Sequence, residues 1–579
     1  MFPTARDAGW GLAFLALSGL AIAAFFDAGA MHGHYAVEAR GMKGLPASEV
    51  QFLFWYLVWG TLAVVMLGAA LTHTRIPAQL VVRLESDTIE PGRVVVVLAV
   101  FVLLLALFVR HAVLRDLPIT DDENVYDFIG KTVARGRFTN PIPPDRIHYA
   151  SQFIVMNEHG WHGKYPIGHG LVIALIGLTG RLDVVGPFLG GMSLLLTFQV
   201  GRRFFGERRA LLGALLLALS PHFVFTHATR VSQTTSCLAV LGALLATFEL
   251  TRGAGRRWLV LAGSAFALSI LARPMPGIPV VAVCVGTLLL SGRIPALRDT
   301  RRVAAQEILA VISIAAIGGL GVMLTNFVQS GSPWTSGYLQ MHHSYGMFEN
   351  IDGELTNSVG GALVRENVWL FGWPISLGLV LFGRPSRGRF LYFGAILAEV
   401  AYRVIAPKTI VSSTGPIYVT EIVPLLALGS ADGAVRLSAW MAAHGKPGAR
   451  AKVGAFILAA FVVAACTFVP IQVGALRRAA TARTKVYDAL ARAGGGDNAL
   501  IFCNELVDVY AGLTWAYYPP APSPGLGDRQ LFVRYVASPE GRRAALAFWR
   551  RRHPARRAFI VKVTSAGPQV ERLAVPAAR

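Results

Sequence analysis

Charged side chains are scarce in this sequence. Asp, Glu, Lys and Arg make up 15% of its 579 residues, whereas hydrophobic residues make up 54%. This composition excludes a soluble protein of this size, because such a protein would need a far more polar surface. The chain is therefore expected to be a polytopic membrane protein, in agreement with its mean hydropathy of +0.52.

Acidic residues are the scarcer kind of charge. The 33 Asp and Glu residues are outnumbered by 54 Lys and Arg residues, which gives a net charge of +21. In a soluble chain such an excess would suggest a nucleic acid partner. Here most arginines lie in short clusters between apolar runs, as topology signals do, so no nucleic acid partner is expected.

Cysteine is also rare, with four residues in the chain. Cys237, Cys284 and Cys466 fall inside apolar runs, and Cys503 stands alone in the C-terminal segment. This spacing shows neither a disulfide framework nor a Cys-x-x-Cys metal site, so redox chemistry is set aside.

Apolar runs long enough to cross a bilayer are abundant. A helix of roughly 17 to 24 apolar residues spans the hydrocarbon layer and satisfies its own backbone there. About 13 such runs are predicted to be transmembrane helices, and no internal repeat is evident. They cover 11–27, 51–72, 93–113, 185–203, 209–226, 232–250, 257–273, 276–291, 304–327, 367–383, 390–406, 417–440 and 452–471.

The basic clusters between these runs predict the topology, since Lys and Arg collect in cytoplasmic loops. Five clusters fall on one side of the membrane, at 202–209, 252–257, 293–302, 384–389 and 444–452. The N-terminus is then cytoplasmic. The extracytoplasmic parts are the loops 114–184, 328–366 and 407–416 and the tail from about 472.

Three consecutive acids, Asp121, Asp122 and Glu123, follow the third apolar run. Apolar residues at helical spacing come next, so an amphipathic helix along the membrane surface is predicted to begin near Glu123. Thr120 and Glu123 have the spacing of a capping box, which gives the acids a purely structural interpretation. The functional interpretation is that one carboxylate at the bilayer boundary takes a proton from a hydroxyl as general base.

Lys164 precedes a second short apolar helix, predicted over 171–180. That helix is too short to span a bilayer, so it is expected to lie on the surface or to re-enter it. The amine and the helix N-terminus together favour an anion such as phosphate. The alternative is an interfacial lysine whose ammonium reaches towards the headgroups.

Four short motifs occur in order along the chain. They are DENVY (122–126), KYPIG (164–168), LARP (271–274) and GPIYVTEIVP (415–424). Their order and spacing resemble those of GT-C membrane glycosyltransferases, particularly the bacterial relatives of protein O-mannosyltransferases and of the lipid A aminoarabinose transferase. Two positions depart from the family pattern. Ile417 stands where relatives often have Arg, and 232–235 contain no acid where the aminoarabinose transferases often have Asp.

The resemblance implies an all-α polytopic membrane protein of the GT-C type. Its catalytic module is expected at 93–471, with the extracytoplasmic loop 114–184, and two additional transmembrane helices at 1–92. The segment 472–579 changes character and is predicted to form a small extracytoplasmic α/β domain.

Predicted elements of this domain are strands at 498–503 and 557–563 and a helix that begins at Ser538 and stops before Pro554. The basic end of that helix, Arg550 to Arg552, is expected to face either anionic lipid or glycan, or simply solvent.

The resemblance also implies an activity. Members of this family take a sugar from a polyprenyl-phosphate donor, and the acceptor expected here is an extracytoplasmic hydroxyl of a glycan, lipid or protein, with inversion of the sugar. Asp122 is then the general base, Glu123 positions the acceptor or holds Asp122, and Asp121 mainly caps the helix.

Cations must meet the phosphate that leaves. Lys164, Arg273 and Arg230 are the candidates, although Arg273 has the alternative of an interfacial charge at a helix end. The loop 328–366 adds aromatic residues that suit a sugar pocket or a membrane interface, among them Trp334 and Tyr345. The substrate-binding candidates are Asp121, Tyr126, Tyr165, His169, Tyr338, His342, Tyr418 and Glu421.

Two histidine pairs could suggest a metal site, since His159 and His162 lie beside an acid and His342 and His343 precede several. Neither spacing is a zinc signature, so no cofactor is expected. A divalent ion held by the acids at 121–122 is the alternative.

The competing function is a transporter or flippase of a lipid-linked substrate. Such a protein should carry ionisable residues inside helices and paired repeats. Only Glu249 and Glu399 suggest this, whereas most acids of interest lie in a loop. The transferase is therefore preferred, in a bacterial plasma membrane and in contact with membrane lipids.

Overall fold

The structure is a computed structural model, and it describes residues 5–27, 52–85, 89–151, 153–297, 299–344, 359–405, 414–504, 519–564 and 567–574. Most of these residues are helical. The helices are α1 (Ala5–Asp27), α2 (Phe52–Thr72), α3 (Ile76–Glu85), α4 (Pro91–Val113), α5 (Asp121–Val133), α6 (Gly168–Gly177), α7 (Val185–Phe204), α8 (Glu207–Ala218), α9 (Pro221–His227), α10 (Ser232–Thr251), α11 (Arg257–Ala272), α12 (Pro274–Leu290), α13 (Ala305–Ser330), α14 (Gly337–Ser344), α15 (Val359–Trp369), α16 (Arg389–Ile405), α17 (Val423–Ala443), α18 (Ala449–Cys466), α19 (Phe468–Arg492) and α20 (Pro539–Arg552).

Strands occur in two places. The strands are β1 (Ile154–Asn157), β2 (Gly160–Gly163), β3 (Ala499–Asn504), β4 (Gln530–Tyr535), β5 (Arg557–Thr564) and β6 (Gly567–Arg572). β1 and β2 form a hairpin inside the loop 114–184, and the other four form a sheet near the C-terminal end. The predicted fold class, a helical membrane protein with a small C-terminal α/β part, is confirmed.

Among the described residues, eight helices are long and apolar enough to cross a membrane, or nine if the pair α8 and α9 counts as one bent span. The protein is a multi-pass membrane protein, but the predicted count of about 13 spans is not confirmed. Two of the predicted spans are helices of 16 and 17 residues, α11 and α12. A third is bent by 63° between α8 and α9, where Pro221 begins the second helix.

The predicted span 367–383 is wrong. α15 ends at Trp369, and the chain then turns through Gly372, whose φ of +72° lies in the left-handed region. Pro374 follows and lacks the N–H that a helix interior needs. Only a short 3-10 turn, Val380–Phe382, comes before the next loop. The apolar composition of this segment concealed its helix-breaking residues.

Two of the predicted basic clusters, 202–209 and 384–389, meet at one end of the helix bundle. Arg209 and the backbone N–H of Arg384 donate to the buried Asp432 carboxylate, at 2.6 and 2.7 Å. Arg203 forms an ion pair with Glu249 at 2.5 Å, which joins the end of α7 to the end of α10. The shared side that the sequence predicted for these clusters agrees with the structure, whereas their cytoplasmic location stays a prediction.

The surface helix α5 begins at Asp121, two residues before the expected start. Thr120 is its N-cap, and the Thr120 hydroxyl accepts from the Glu123 N–H at 3.4 Å. Val125 and Phe128 are buried on its apolar face, as the helical spacing predicted. α5 packs on α6 and on the hairpin, so these elements form one layer at the end of the bundle opposite the basic clusters.

The second surface helix, α6, begins at Gly168, three residues before its predicted start. Gly168 lies so close to the end of α11 that a Cβ added to it would be 2.4 Å from the Leu271 carbonyl carbon. The absence of a side chain at Gly168 therefore allows the Lys164 segment to approach the LARP segment.

The C-terminal sheet has the strand order β4-β3-β5-β6, with β3 parallel to both of its neighbours and β6 antiparallel to β5. The predicted strands correspond to β3 and β5, and the predicted helix corresponds to α20, with Ser538 as its N-cap. β4 and β6 were not predicted from the sequence. α19 continues through the proposed boundary at 472, so the sheet is joined to the membrane part by an unbroken helix.

This sheet packs against the loop 114–184. Phe548 of α20 lies 4.2 Å from the His148 ring, measured between ring centroids, and shares a hydrophobic core with residues of α5. Arg551 and Arg552 both donate to the Asp145 carboxylate, at 2.6 and 2.7 Å. Two of the three arginines that were expected to face lipid, glycan or solvent thus bind the loop instead.

Candidate functional site

A buried ion pair connects the membrane helix α4 with the surface helix α5. The Arg110 side chain is fully buried and donates to the Glu123 carboxylate at 2.7 Å and to the Asp116 carboxylate at 2.8 Å. Glu123 also accepts from the backbone N–H groups of Ile119 and Arg230, at 2.8 and 3.1 Å. Two charges in such a place are tolerated because they neutralise each other and their hydrogen bonds are satisfied.

The Glu123 carboxyl remains ionised in this environment. Burial alone raises the pKa of the Glu123 carboxyl, but the cations of Arg110 and Arg230 and two backbone N–H donors outweigh it and hold that pKa below its ordinary value. Since both of its oxygens are engaged, the contacts of Glu123 make it a positioning residue for the start of α5. The predicted role in catalysis or in acceptor binding stays a prediction.

Arg230, predicted to bind the donor phosphate, is paired with an acid. Its guanidinium donates to both oxygens of Asp127 at 2.8 and 2.7 Å, and its side chain is almost completely buried. A phosphate would have to displace this bidentate pair, which is the strong form of such contacts. These contacts favour a structural role for Arg230.

His169, predicted to bind substrate, is completely buried. Its Nε2 lies 3.0 Å from the Arg230 carbonyl oxygen and its Nδ1 lies 2.8 Å from the Thr235 hydroxyl. A carbonyl oxygen only accepts, so Nε2 carries the proton and Nδ1 accepts from the hydroxyl. Both ring nitrogens are thus used within the protein.

Asp122 lies next to Glu123 in the chain but has different neighbours. The Tyr165 hydroxyl donates a short hydrogen bond to the Asp122 carboxylate. The Tyr165 ring stacks on the Tyr126 ring with 4.7 Å between centroids, and the Tyr126 hydroxyl donates to Ser232 at 2.7 Å. DENVY and KYPIG, the first two motifs, are therefore in direct contact.

Lys164 lies among aromatic rings. Its ammonium is 3.0 Å from the centroid of Phe153, 4.8 Å from that of Tyr165 and 5.5 Å from that of Tyr338. The negative faces of such rings attract a cation at these distances. Gly337 packs against the Lys164 backbone, where a Cβ would be 2.5 Å from the carbonyl oxygen, and so brings α14 and its Tyr338 close to the ammonium.

Arg273, at the junction of α11 and α12, forms an ion pair with Glu421 at 2.5 Å. The centre of its guanidinium lies 5.6 Å from the centroid of the Tyr418 ring. The LARP and GPIYVTEIVP motifs are thus in contact as well. Glu421 uses one of the five N–H donors of the guanidinium, and the second oxygen of Glu421 is buried without a hydrogen-bond partner among the described residues.

The two pairs of motifs belong to one site. The pKa of the Tyr126 hydroxyl is raised first by burial and then by the Asp122 carboxylate, while the Ser232 hydrogen bond and the Arg273 cation oppose the rise. Asp122 and Arg273 therefore both lie within electrostatic range of the Tyr126 hydroxyl. A carboxylate, an ammonium and a guanidinium converge on a small group of tyrosines.

Some predicted residues lie outside this geometry. Trp334 is 75% exposed. Tyr345 falls outside the described residues, as do the side chains of Asp121 and His342. No group of three or more His, Cys, Asp or Glu residues that could hold a metal occurs in the described part of the chain. The first of the two predicted histidine pairs includes His162, whose Nδ1 lies 3.2 Å from the Gly163 carbonyl oxygen.

Three residues of the site region were missed in the sequence. Arg110 has a signal that points to it, because a charge near the end of an apolar run is rare and commonly functional. It also lies in a π-helical turn, Val109–Val113, a feature that is frequent at functional sites. Asp127 and Phe153 carry no such signal, since only the folded chain brings them to Arg230 and Lys164.

Comparisons with known proteins found a family match and similar solved structures. Residues 182–317 match the model of the dolichyl-phosphate-mannose-protein mannosyltransferase family. The crystal structure of ArnT from Cupriavidus metallidurans, bound to undecaprenyl phosphate, is similar with a TM-score of 0.50 and 14% sequence identity, over 81% of this chain and 93% of that one. The chain has the fold of the ArnT structure.

Another similar structure is the oligosaccharyltransferase of Archaeoglobus fulgidus, with a TM-score of 0.41 and 14% identity, over 68% of this chain and 57% of that one. No curated protein sequence matches the chain. The ArnT structure confirms the fold that the motif resemblance implied.

Glu123→Gln is expected to destabilise the protein by about 3–5 kcal/mol, because Arg110 would stay buried with less compensating charge. Folding lowers the pKa of Glu123, so its contribution to stability is complete above the ordinary pKa of about 4.3 and is lost as the pH falls through the lower folded value. Thermal unfolding of the wild-type and variant proteins in detergent, from neutral pH down to about pH 3, measures both effects.

Glu158→Gln is the control, because the Glu158 side chain is 87% exposed. It should leave the unfolding temperature unchanged over the whole range. If Glu123→Gln were equally stable, the ion pair with Arg110 would not hold α5.

Proposed function

We propose that the chain transfers a sugar from a polyprenyl-phosphate donor to a hydroxyl group outside the cytoplasm, with inversion at the anomeric carbon. The acceptor oxygen attacks that carbon from the face opposite the phosphate, and its proton passes to Asp122. The bond from the carbon to the phosphate oxygen breaks, and polyprenyl phosphate leaves with the electron pair.

One observation carries this proposal. Asp122 and Lys164 lie on the same tyrosine, since the Tyr165 hydroxyl donates to Asp122 and the Lys164 ammonium lies 4.8 Å from the centroid of the Tyr165 ring. The Tyr165 side chain thus contacts both the base for the entering hydroxyl and the cation for the departing phosphate. Inverting transfer needs this pair of groups together.

Asp122 is suited to the role of base. An ionised carboxylate has about four lone-pair positions, so it accepts an acceptor hydroxyl in addition to the hydroxyl of Tyr165. The tyrosine hydrogen bond orients the carboxylate, and Glu123 and Arg110 hold the helix turn from which it projects. Catalytic groups need such support from their surroundings.

The departing phosphate is assigned to Lys164 and Arg273. The pairing of Arg273 with Glu421 leaves other N–H groups of the guanidinium for a phosphate oxygen. Arg230 is not included, because Asp127 occupies its guanidinium. The rings of Tyr126, Tyr165 and Tyr338 provide apolar faces for a sugar ring.

The partners follow from the same chemistry. The donor is a polyprenyl-phosphate sugar, as the family model over 182–317 and the undecaprenyl phosphate bound to the similar ArnT structure support. The acceptor is a glycan, lipid or protein on the outer face of a bacterial plasma membrane. No metal is required, since a monophosphate leaving group is matched by the two side-chain cations.

Asp122→Asn is expected to lower turnover by about 10² to 10⁴, the usual contribution of a general base. A panel of polyprenyl-phosphate sugars is incubated with the purified protein, and donor consumption is measured. Binding of undecaprenyl phosphate should persist, since the amide removes no cation. Asp122→Glu keeps a carboxylate and should retain more activity than the asparagine variant. Full turnover by Asp122→Asn would exclude the assignment, and a wild-type protein that neither binds nor consumes any donor would favour the transporter.

Lys164→Ala is expected to weaken binding of undecaprenyl phosphate by about tenfold or more, since a hydrogen bond to a charged group contributes about 1.5–3 kcal/mol. Lys131→Ala is the matched control, because the Lys131 ammonium donates to Ser523 outside the site. The affinities of the variants are compared by titration of the lipid phosphate. Equal affinities for both variants would show that Lys164 does not bind the phosphate.

Activity is expected to persist after treatment with EDTA, because the proposed cations belong to the protein. The same donor-consumption assay, with and without added Mg²⁺ after chelation, measures this. Loss of turnover that Mg²⁺ restores would point instead to an ion held near Asp122.

A further inference from the structure

An apolar groove lies between α2, α17, α18 and the non-helical segment 373–379. Its cavity volume is about 280 Å³, close to the lower end of the range for small-molecule sites, roughly 300 Å³. Its walls are mostly aliphatic and aromatic, and include Val64, Leu437, Met441, Phe456 and Ile457. The groove is independent of the proposed reaction, because none of the site residues described above lines it.

One wall of the groove is the non-helical segment 373–379. The chain turns at Gly372 and Pro374 instead of continuing as a membrane helix, and Pro374 packs close to Gly60 of α2. α2 and α18 still contact each other, with the Phe456 ring over Gly68. The groove lies beside that contact.

Three polar groups interrupt the apolar walls. Lys452 lies in the first turn of α18, and no carboxylate of the described residues pairs with it. Trp373 is 4% exposed, and its indole N–H has no hydrogen-bond partner in the described part of the chain. The hydroxyl of Thr61 is also buried without a hydrogen-bond partner among the described residues. Buried donors without acceptors are costly, so the Trp373 N–H and the Thr61 hydroxyl each call for a ligand atom, and the half-buried Lys452 adds a positive charge.

Lys452 belongs to the end of the bundle where the basic clusters meet. A short connection, 444–448, joins α17 to α18 just before Lys452. Arg436 of α17 donates to the Arg384 carbonyl oxygen at 2.5 Å and to Asp432 at 2.6 Å. The candidate site with Asp122 lies at the opposite end, beyond Arg110 of α4. A donor lipid bound near Asp122 would therefore not place its phosphate at Lys452.

We propose that this groove binds an anionic phospholipid, with an acyl chain along the apolar walls and the phosphate on Lys452. A basic residue at the membrane surface attracts anionic headgroups. The ester carbonyl oxygens of a phospholipid also supply the acceptor that the Trp373 N–H lacks. A helix from a second copy of the chain would not supply one, because its backbone carbonyls are used within the helix.

The test uses the full chain, purified in detergent and stripped of lipid. Phosphatidylglycerol or phosphatidylcholine is added, and native mass spectrometry counts the lipids retained. The proposal predicts one retained phosphatidylglycerol, preferred over phosphatidylcholine by about fivefold. Lys452→Gln should abolish that preference. Lys446→Gln is the matched control, since Lys446 belongs to the same basic cluster but does not line the groove.

Ile375→Trp separates groove binding from general adhesion of lipid. Ile375 lines the groove and is 50% exposed, so a larger ring there fills the groove at little cost in packing. Retention of both lipids should fall, while thermal unfolding in lipid-free detergent stays as in the wild type. Three results would overturn the proposal: an unchanged preference in Lys452→Gln, equal retention of both lipids by the wild type, or a dimer mass that Ile375→Trp abolishes.

Discussion

The ion pair of Arg110 and Glu123 fixes the surface layer of this protein to its membrane helices. Neither charge is tolerated in that place without the other, because the cost of burying an unpaired ion is several kcal/mol. Adjacent residues of a helix point about 100° apart, since 3.6 residues make one turn. With Glu123 held inward, Asp122 is directed towards Tyr165. Asp122 and Glu123 are adjacent in the chain and thus have different environments.

Much of the fold is legible in the sequence, because the requirement for a satisfied backbone in a bilayer leaves few alternatives. The spacing of Val125 and Phe128 identified α5, and Ser538 identified the start of α20. The span at 367–383 failed for a physical reason. Hydropathy measures how favourably a segment is buried in an apolar environment. Whether that segment is a helix depends here on Gly372 and Pro374. β4 and β6 were not predicted, because their stability comes from pairing with neighbouring strands.

The candidate site, like the fold, was predicted from the sequence only in part. Asp122, Lys164 and Arg273 were selected by residue type and motif, and the fold brings all three to one group of tyrosines. The sequence left open which charges are paired. Asp127 and Glu421 turn two of the candidate cations into ion pairs, and such long-range partners have no periodic signal in the chain. Resemblance to a family selects residues, but only contacts distinguish a reactive charge from a structural one.

Gly337 illustrates how the backbone sets the dimensions of a binding site. Its Cα lies against the Lys164 peptide with no room for a methyl group. Tyr338 is the next residue, so the separation between its ring and the ammonium depends on that bare peptide contact. A single added methyl would act as a wedge, moving the whole α14 segment outward and enlarging the enclosure without changing any residue that lines it. The size of this enclosure therefore depends on the hydrogen atom that Gly337 has in place of a side chain.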